Sequence, residues 1–129
     1  MLKRMEGKEW SYWTYYNNIE YIRIDFRKGK SDMDNNAIHI INDSVELGLE
    51  REDKSIRALI LVQGTKIRPE TIRIMKKIGK DVQPKMKKSA IVGAVGILSL
   101  LVRIYISYTG SSLRFFTNER SALEYITSD

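Results

Sequence analysis

At 129 residues, with 43% hydrophobic and 29% charged side chains, the chain suits one compact domain spanning residues 1–129. It has no cysteine, which excludes a disulfide framework and any thiolate metal site and fits a reducing compartment. The net charge of +6 is uneven: nine basic residues and two acidic ones lie between Lys66 and Lys88, so the segment favours anionic partners, whether protein, lipid headgroup or nucleic acid.

The opening MLKRMEGKEWSYW lacks the continuous apolar stretch of a secretory signal, and the expected location is cytoplasmic. Trp10–Tyr16 and Ile19–Phe26 are rich in aromatic and β-branched residues and flank Asn17-Asn18, a pair that tolerates positive φ; this predicts a β-hairpin. After a polar loop, Ile38, Ile41, Val45 and Leu49 recur at helical spacing, with Ser31, Asp32, Asp34 and Asn35 as capping candidates. The apolar run Ile56–Val62 predicts a central strand covered on both faces. Pro69 suits the first position of a helix that buries Ile72, Met75 and Val82, with Ile78 nearby, and presents Arg73, Lys76, Lys77 and Lys80 on its other side.

Pro84 ends that pattern, and Ser89–Val92 predicts another strand. The stretch from Lys87 to Gly110 is the most apolar part of the chain, yet only fourteen residues separate Lys88 from Arg103. A membrane-crossing helix needs about 20 apolar residues, and burying Arg103 in one costs roughly 2.5 to 3.5 kcal/mol. A strand, a turn at Gly93 and Gly96, and a helix from Gly96 to Tyr108 account for the same residues without that cost. The turn matches neither dinucleotide- nor nucleotide-binding glycine patterns, so its glycines are read as turn and packing residues. Leu113–Phe116 predicts the last strand, and Thr117 or Asn118 a cap for a final helix carrying Ala122, Leu123, Tyr125 and Ile126. A hairpin followed by alternating helices and strands is an α/β pattern: a mixed β-sheet flanked by about four helices.

No constellation points to catalysis. His39 is the only histidine and falls on the polar side of its helix, which with the lack of cysteine argues against a transition-metal site. Asp32-Met33-Asp34-Asn35-Asn36 begins like a calcium loop, but Ala37 stands where the loop needs glycine and Asp43 where it needs glutamate. The Lys66–Lys88 segment lacks interleaved aromatics and any zinc-finger or RNP pattern, so no specific nucleic acid is expected.

The segments YIRIDF (Tyr21–Phe26), ALILVQGT (Ala58–Thr65), KKSAIVGAVG (Lys87–Gly96) and FTNERSALEYI (Phe116–Ile126) resemble the STAS-like, SpoIIAA-like family of small α/β domains, in particular its uncharacterised bacterial branch. The resemblance implies a non-enzymatic interaction or regulatory module with no cofactor. In the family's anti-sigma-factor antagonists, a serine in an Asp-Ser-Ser-Gly turn is phosphorylated. The matching turn here is Gly64-Thr65-Lys66-Ile67-Arg68-Pro69, without that motif, so Thr65, Lys66, Arg68 and Thr71 are only candidates for a regulatory turn. Relatives towards the CRAL-TRIO side imply lipid or membrane-surface binding.

Two functional expectations follow. One is association with a protein partner or with a second copy of the chain, through an apolar interface of Ile97, Leu100, Leu101 and Ile104. The other is binding of a small apolar ligand or an anionic membrane surface, using the same helix with Arg73, Lys76, Lys77 and Lys80 as anion contacts.

Overall fold

The computed structural model describes residues 6–7, 10–27, 33–65 and 68–128. Strands β1 (Glu6–Gly7), β2 (Ser11–Tyr16) and β3 (Ile19–Asp25) form an antiparallel run, and Asn17 and Asn18 both take positive φ in the hairpin turn between β2 and β3. Two consecutive left-handed residues match the twist of the flanking strands, which explains an Asn-Asn pair here. The two-residue β1 has no counterpart in the sequence pattern.

The chain continues as α1 (Met33–Leu49), β4 (Ile56–Leu61), α2 (Pro69–Val82), β5 (Met86–Val92), α3 (Gly96–Thr109), β6 (Arg114–Phe116) and α4 (Glu119–Ile126). The sheet has six strands in sequential order, with β3 to β6 parallel, so it is mixed, as the alternation predicts. Because the sheet grows in one direction from β3 to β6, a right-handed crossover at each step puts all three connecting helices on the same face. Ala37, Ile40 and Ile41 of α1, Ile72 of α2 and Val102 of α3 accordingly share one core. Helix α4 follows the last strand and covers the other face, where Ala122, Leu123 and Ile126 pack on Leu59, Leu61, Ala90 and Val92.

Strand β4 is covered from both sides: Ile56 and Ala58 point towards the three-helix layer and Leu59 and Leu61 towards α4, all nearly inaccessible. Pro69 opens α2 as expected. Asn118 caps α4 by accepting a hydrogen bond from the Ser121 amide at 2.9 Å. Under α4, Arg57 donates to the Ile126 and Ser128 carbonyls and Lys88 to Ser128, so two cations meet the unpaired carbonyls at the helix end.

Three local expectations are corrected. The inner side of α1 is Ala37, Ile40, Ile41 and Leu47, while Leu49 is half exposed and Ile38 and Val45 are half-buried, because the buried stripe runs along 37, 40, 41 and 47, to one side of the 38, 45 and 49 line. Helix α1 already begins at Met33, so Asp34 and Asn35 lie within its first turn; Ser31 and Asp32 fall outside the described residues. Strand β5 starts at Met86, three residues early, because Ile56 and Arg57 of β4 pair with Met86 and Lys88 despite their polar neighbours.

The β5–α3 turn shows why Gly93 must be glycine. Its φ is +87°, a Cβ there would collide with Gln63 and lie 2.9 Å from the Gln63 Cα, and its amide donates to the Phe116 carbonyl at 3.0 Å. Gly93→Ala is expected to lower unfolding stability by about 1 to 3 kcal/mol, read from urea denaturation monitored by circular dichroism.

Candidate functional site

Helix α3 has two apolar sides. Leu98, Leu101, Val102, Tyr105 and Ile106 pack inward on the core, whereas Ile97 is 74% exposed, Leu100 60%, Ile104 46% and Tyr108 49%. Residues 97, 100, 104 and 108 follow the three-and-four spacing of one helix face, so they form a single stripe along the helix, extended by Val95 in the preceding turn. Leu101, grouped with the interface by its sequence position, is half-buried and turns inward. Apolar surface of this extent costs free energy in water.

Helix α2 lies beside α3 and supplies a charged border. Gly79 of α2 receives the Tyr105 ring, since a Cβ at position 79 would collide with it. One turn further along α3, the ammonium groups of Lys76 and Lys80 sit 4.6 and 4.4 Å from the centre of the Tyr108 ring. Tyr108 therefore joins the basic face of α2 to the apolar stripe of α3. Arg73 and Lys77 are exposed on the same helix. On the far side of the stripe Arg103 is exposed and lies over the Phe115 ring at 5.0 Å. No acidic residue occurs in α3, so both flanks of the stripe are cationic.

The turn after β4 is built differently. The Thr65 hydroxyl donates to the Val62 carbonyl at 2.7 Å, Arg68 occupies the cap position of α2, and Thr71 is buried at 3% exposure. Lys66 lies outside the described residues. Thr65 and Arg68 serve the local turn and helix start, and Thr71 keeps its side chain inside the fold. Gly93 and Gly96 both have positive φ and serve the strand-to-helix turn. His39 is exposed on α1, and the described residues hold no group of acidic or histidine side chains able to bind a metal ion.

A polar cluster that the sequence reading passed over occupies the α4 side of the sheet. Arg23 donates to Glu119 at 2.8 Å, Arg27 holds the buried Asp25 through two side-chain hydrogen bonds of 2.9 Å, and Arg27 also reaches Gln63 at 3.4 Å. The signal was the alternation in IRIDFR, which sends Arg23, Asp25 and Arg27 to one side between Ile22, Ile24 and Phe26. Burial alone would raise the Asp25 carboxyl, but the hydrogen bonds and charge of Arg27 outweigh it and hold the group below its ordinary value. Burial opposes the charge of Arg23 as well, and Glu119 reverses that effect. These charges pair with one another and fix the ends of β3 and α4; the arrangement is structural.

A crystal structure of an uncharacterized protein from Shewanella loihica, of the DUF3478 family and described as having a SpoIIAA-like fold, superposes on this chain with a TM-score of 0.65. The match covers 90% of this chain and 91% of that one at 15% sequence identity, a level that compares architecture. The chain has a SpoIIAA-like fold. A scan against protein-family models finds no match, and neither does a search of curated proteins. Among the described residues no helix is long and apolar enough to cross a membrane, in keeping with the strand–turn–helix structure of the Lys87–Gly110 stretch.

The Asp25–Arg27 pair carries a pH dependence. A carboxylate whose folded value is depressed stabilises the fold above its unfolded value, about 3.9, and that contribution is lost as pH falls through the folded value. Arg27→Met is expected to cost about 2 kcal/mol at pH 7 by leaving Asp25 buried without its partner. The gap between variant and wild type should narrow towards pH 3, measured by urea denaturation at both pH values.

Proposed function

We propose that the protein is a non-enzymatic association module whose docking surface is the α3 stripe with its basic flanks, and whose partner is a protein presenting an apolar ridge bordered by acidic side chains. The observation that carries the reading is the convergence at Tyr108, where Lys76 and Lys80 of α2 meet the exposed line of Ile97, Leu100 and Ile104. Apolar contact at the centre supplies affinity, and charge at the rim supplies orientation and association rate. A second copy of the chain fits this surface less well than an acidic partner, because it brings the same cationic flanks and the rims repel.

An anionic membrane surface is the second reading, favoured by the same pairing of an apolar stripe with lysines and a tyrosine at its border. A cytoplasmic setting accommodates either partner.

The test uses full-length protein tagged in its source cells, comparing wild type with Leu100→Asp/Ile104→Asp and with Lys76→Glu/Lys80→Glu. One acidic protein should co-purify with the wild type and be lost with both double variants, while melting temperatures stay within a few degrees. Co-sedimentation with anionic vesicles at low salt, abolished by the same substitutions and with no protein partner recovered, would move the assignment to the membrane. Light scattering that gives a stable dimer broken by Leu100→Asp would overturn the acidic-partner reading in favour of self-association.

A further inference from the structure

Between the sheet and the three-helix layer lies a cavity of about 120 Å³, partly open to solvent. Its floor includes Ala58 and Ile60 of β4, its roof Val45 and Gly48 of α1 and Ile78 of α2, and no charged residue lines it. Protein interiors are ordinarily packed with few voids larger than a water molecule, so a space of this size inside a small domain needs an occupant or a reason. A closed apolar cavity of about 150 Å³ holds benzene, so this space of about 120 Å³ takes a single ring only because it is open on one side, where part of the ring can protrude.

Five polar side chains interrupt the apolar wall: Ser44, Gln83, Ser89, Tyr105 and Ser111. Ser89 of β5 is 4% exposed and Tyr105 comes from α3; both line the cavity, and neither hydroxyl has a hydrogen-bond partner among the described residues. Among the described residues no side-chain oxygen closed off from solvent lacks a partner, so these two hydroxyls stay open to the cavity, where a ligand or water can complete them. Ser44 of α1 is already bonded to the Ile40 carbonyl at 2.7 Å and to Ser11 at 2.6 Å, and Ser111 accepts from the Leu113 amide at 3.1 Å, so neither serine competes. Burial raises Tyr105 above the ordinary tyrosine value, which keeps it protonated and able to donate.

We propose that this cavity binds a neutral, single-ring aromatic molecule carrying one hydroxyl, a phenol in the simplest case, held by the apolar floor and roof and oriented by Ser89 and Tyr105. The uncharged lining excludes a carboxylate or an ammonium group, because nothing there would replace its hydration. The volume excludes a fatty acyl chain or a fused polycyclic ring lying wholly inside. Met75 and Met86, both in the lining, are the flexible part of the wall that can adjust to ring substituents. The site is separate from the α3 stripe, which lies on the outer side of the same helix.

Titration of the full-length protein with phenol and with its hydroxyl-free isostere toluene, followed by amide NMR, tests the assignment. Both compounds should shift the amides of Ala58, Ile60 and Gly79. In Ser89→Ala and Tyr105→Phe the phenol-to-toluene affinity ratio should fall about tenfold, the size of one lost hydrogen bond, with toluene affinity unchanged. Ala58→Val, which fills part of the cavity while suiting a strand, should weaken both ligands at least tenfold with an unaltered circular dichroism spectrum. Shifts scattered over the surface, no shifts at millimolar ligand, or a ratio untouched by both hydroxyl substitutions would overturn the proposal.

Discussion

The functional half of the molecule depends on the approach of Tyr105 to Gly79. Glycine inside a helix costs about 1 kcal/mol relative to alanine, and here the missing side chain lets the tyrosine ring occupy the surface of α2. The contact fixes how closely α2 and α3 lie and how α3 is rotated about its axis. That rotation turns Leu101 and Val102 inward and Ile97, Leu100 and Ile104 outward, and it places Tyr108 beneath Lys76 and Lys80. It also makes Tyr105 a wall of the cavity. One helix thus serves the core, the cavity and the exposed stripe, and this accounts for hydrophobic residues on more of its circumference than burial alone would use.

The two faces of the sheet are stabilised by different means. Towards α1, α2 and α3 the layer is aliphatic and includes an unfilled space. Towards α4 a helix of only eight residues covers β4 and β5, and the remainder of that face is closed by ion pairs: Arg23 with Glu119, and Arg27 with Asp25. A short helix buries little area, and its hold on the sheet is reinforced by Arg57 and Lys88 at its C-terminal end and by Asn118 at its start. Stability on this side is therefore more sensitive to pH and less dependent on apolar area than on the other.

Most of the architecture was legible because each element announces itself locally. Asn17-Asn18 names its own turn, the Ile56–Val62 run is apolar at every position but one as a doubly covered strand must be, and Pro69 and Asn118 mark helix starts by their own chemistry. What could not be read were properties set by neighbours. The start of β5 depends on the partner it finds in β4, and the inner face of α1 depends on which of its apolar residues the sheet beneath meets. The excess hydrophobicity of Gly96–Tyr108 was visible, but assigning residues to the exposed side required the position of α2, and Leu101 was misplaced for that reason. The hydroxyls of Ser89 and Tyr105 are distant in sequence and carry no motif; only the fold brings them to one cavity.

The ends of the sheet also constrain how the molecule can meet others. Parallel order leaves β6 as one outer strand, three residues long, and the described part of β1 at the other end has two. An unpaired strand edge is a template for adding a foreign strand, and an edge as short as β6 offers few backbone groups to hold one. Arg114 within β6, stacked over Tyr125, adds a charge where an extra strand would have to settle. Lengthening of the sheet by a guest peptide is thereby disfavoured at the β6 margin, and a partner approaching from that side would have to be recognised by side chains, where sequence rather than backbone decides what is accepted.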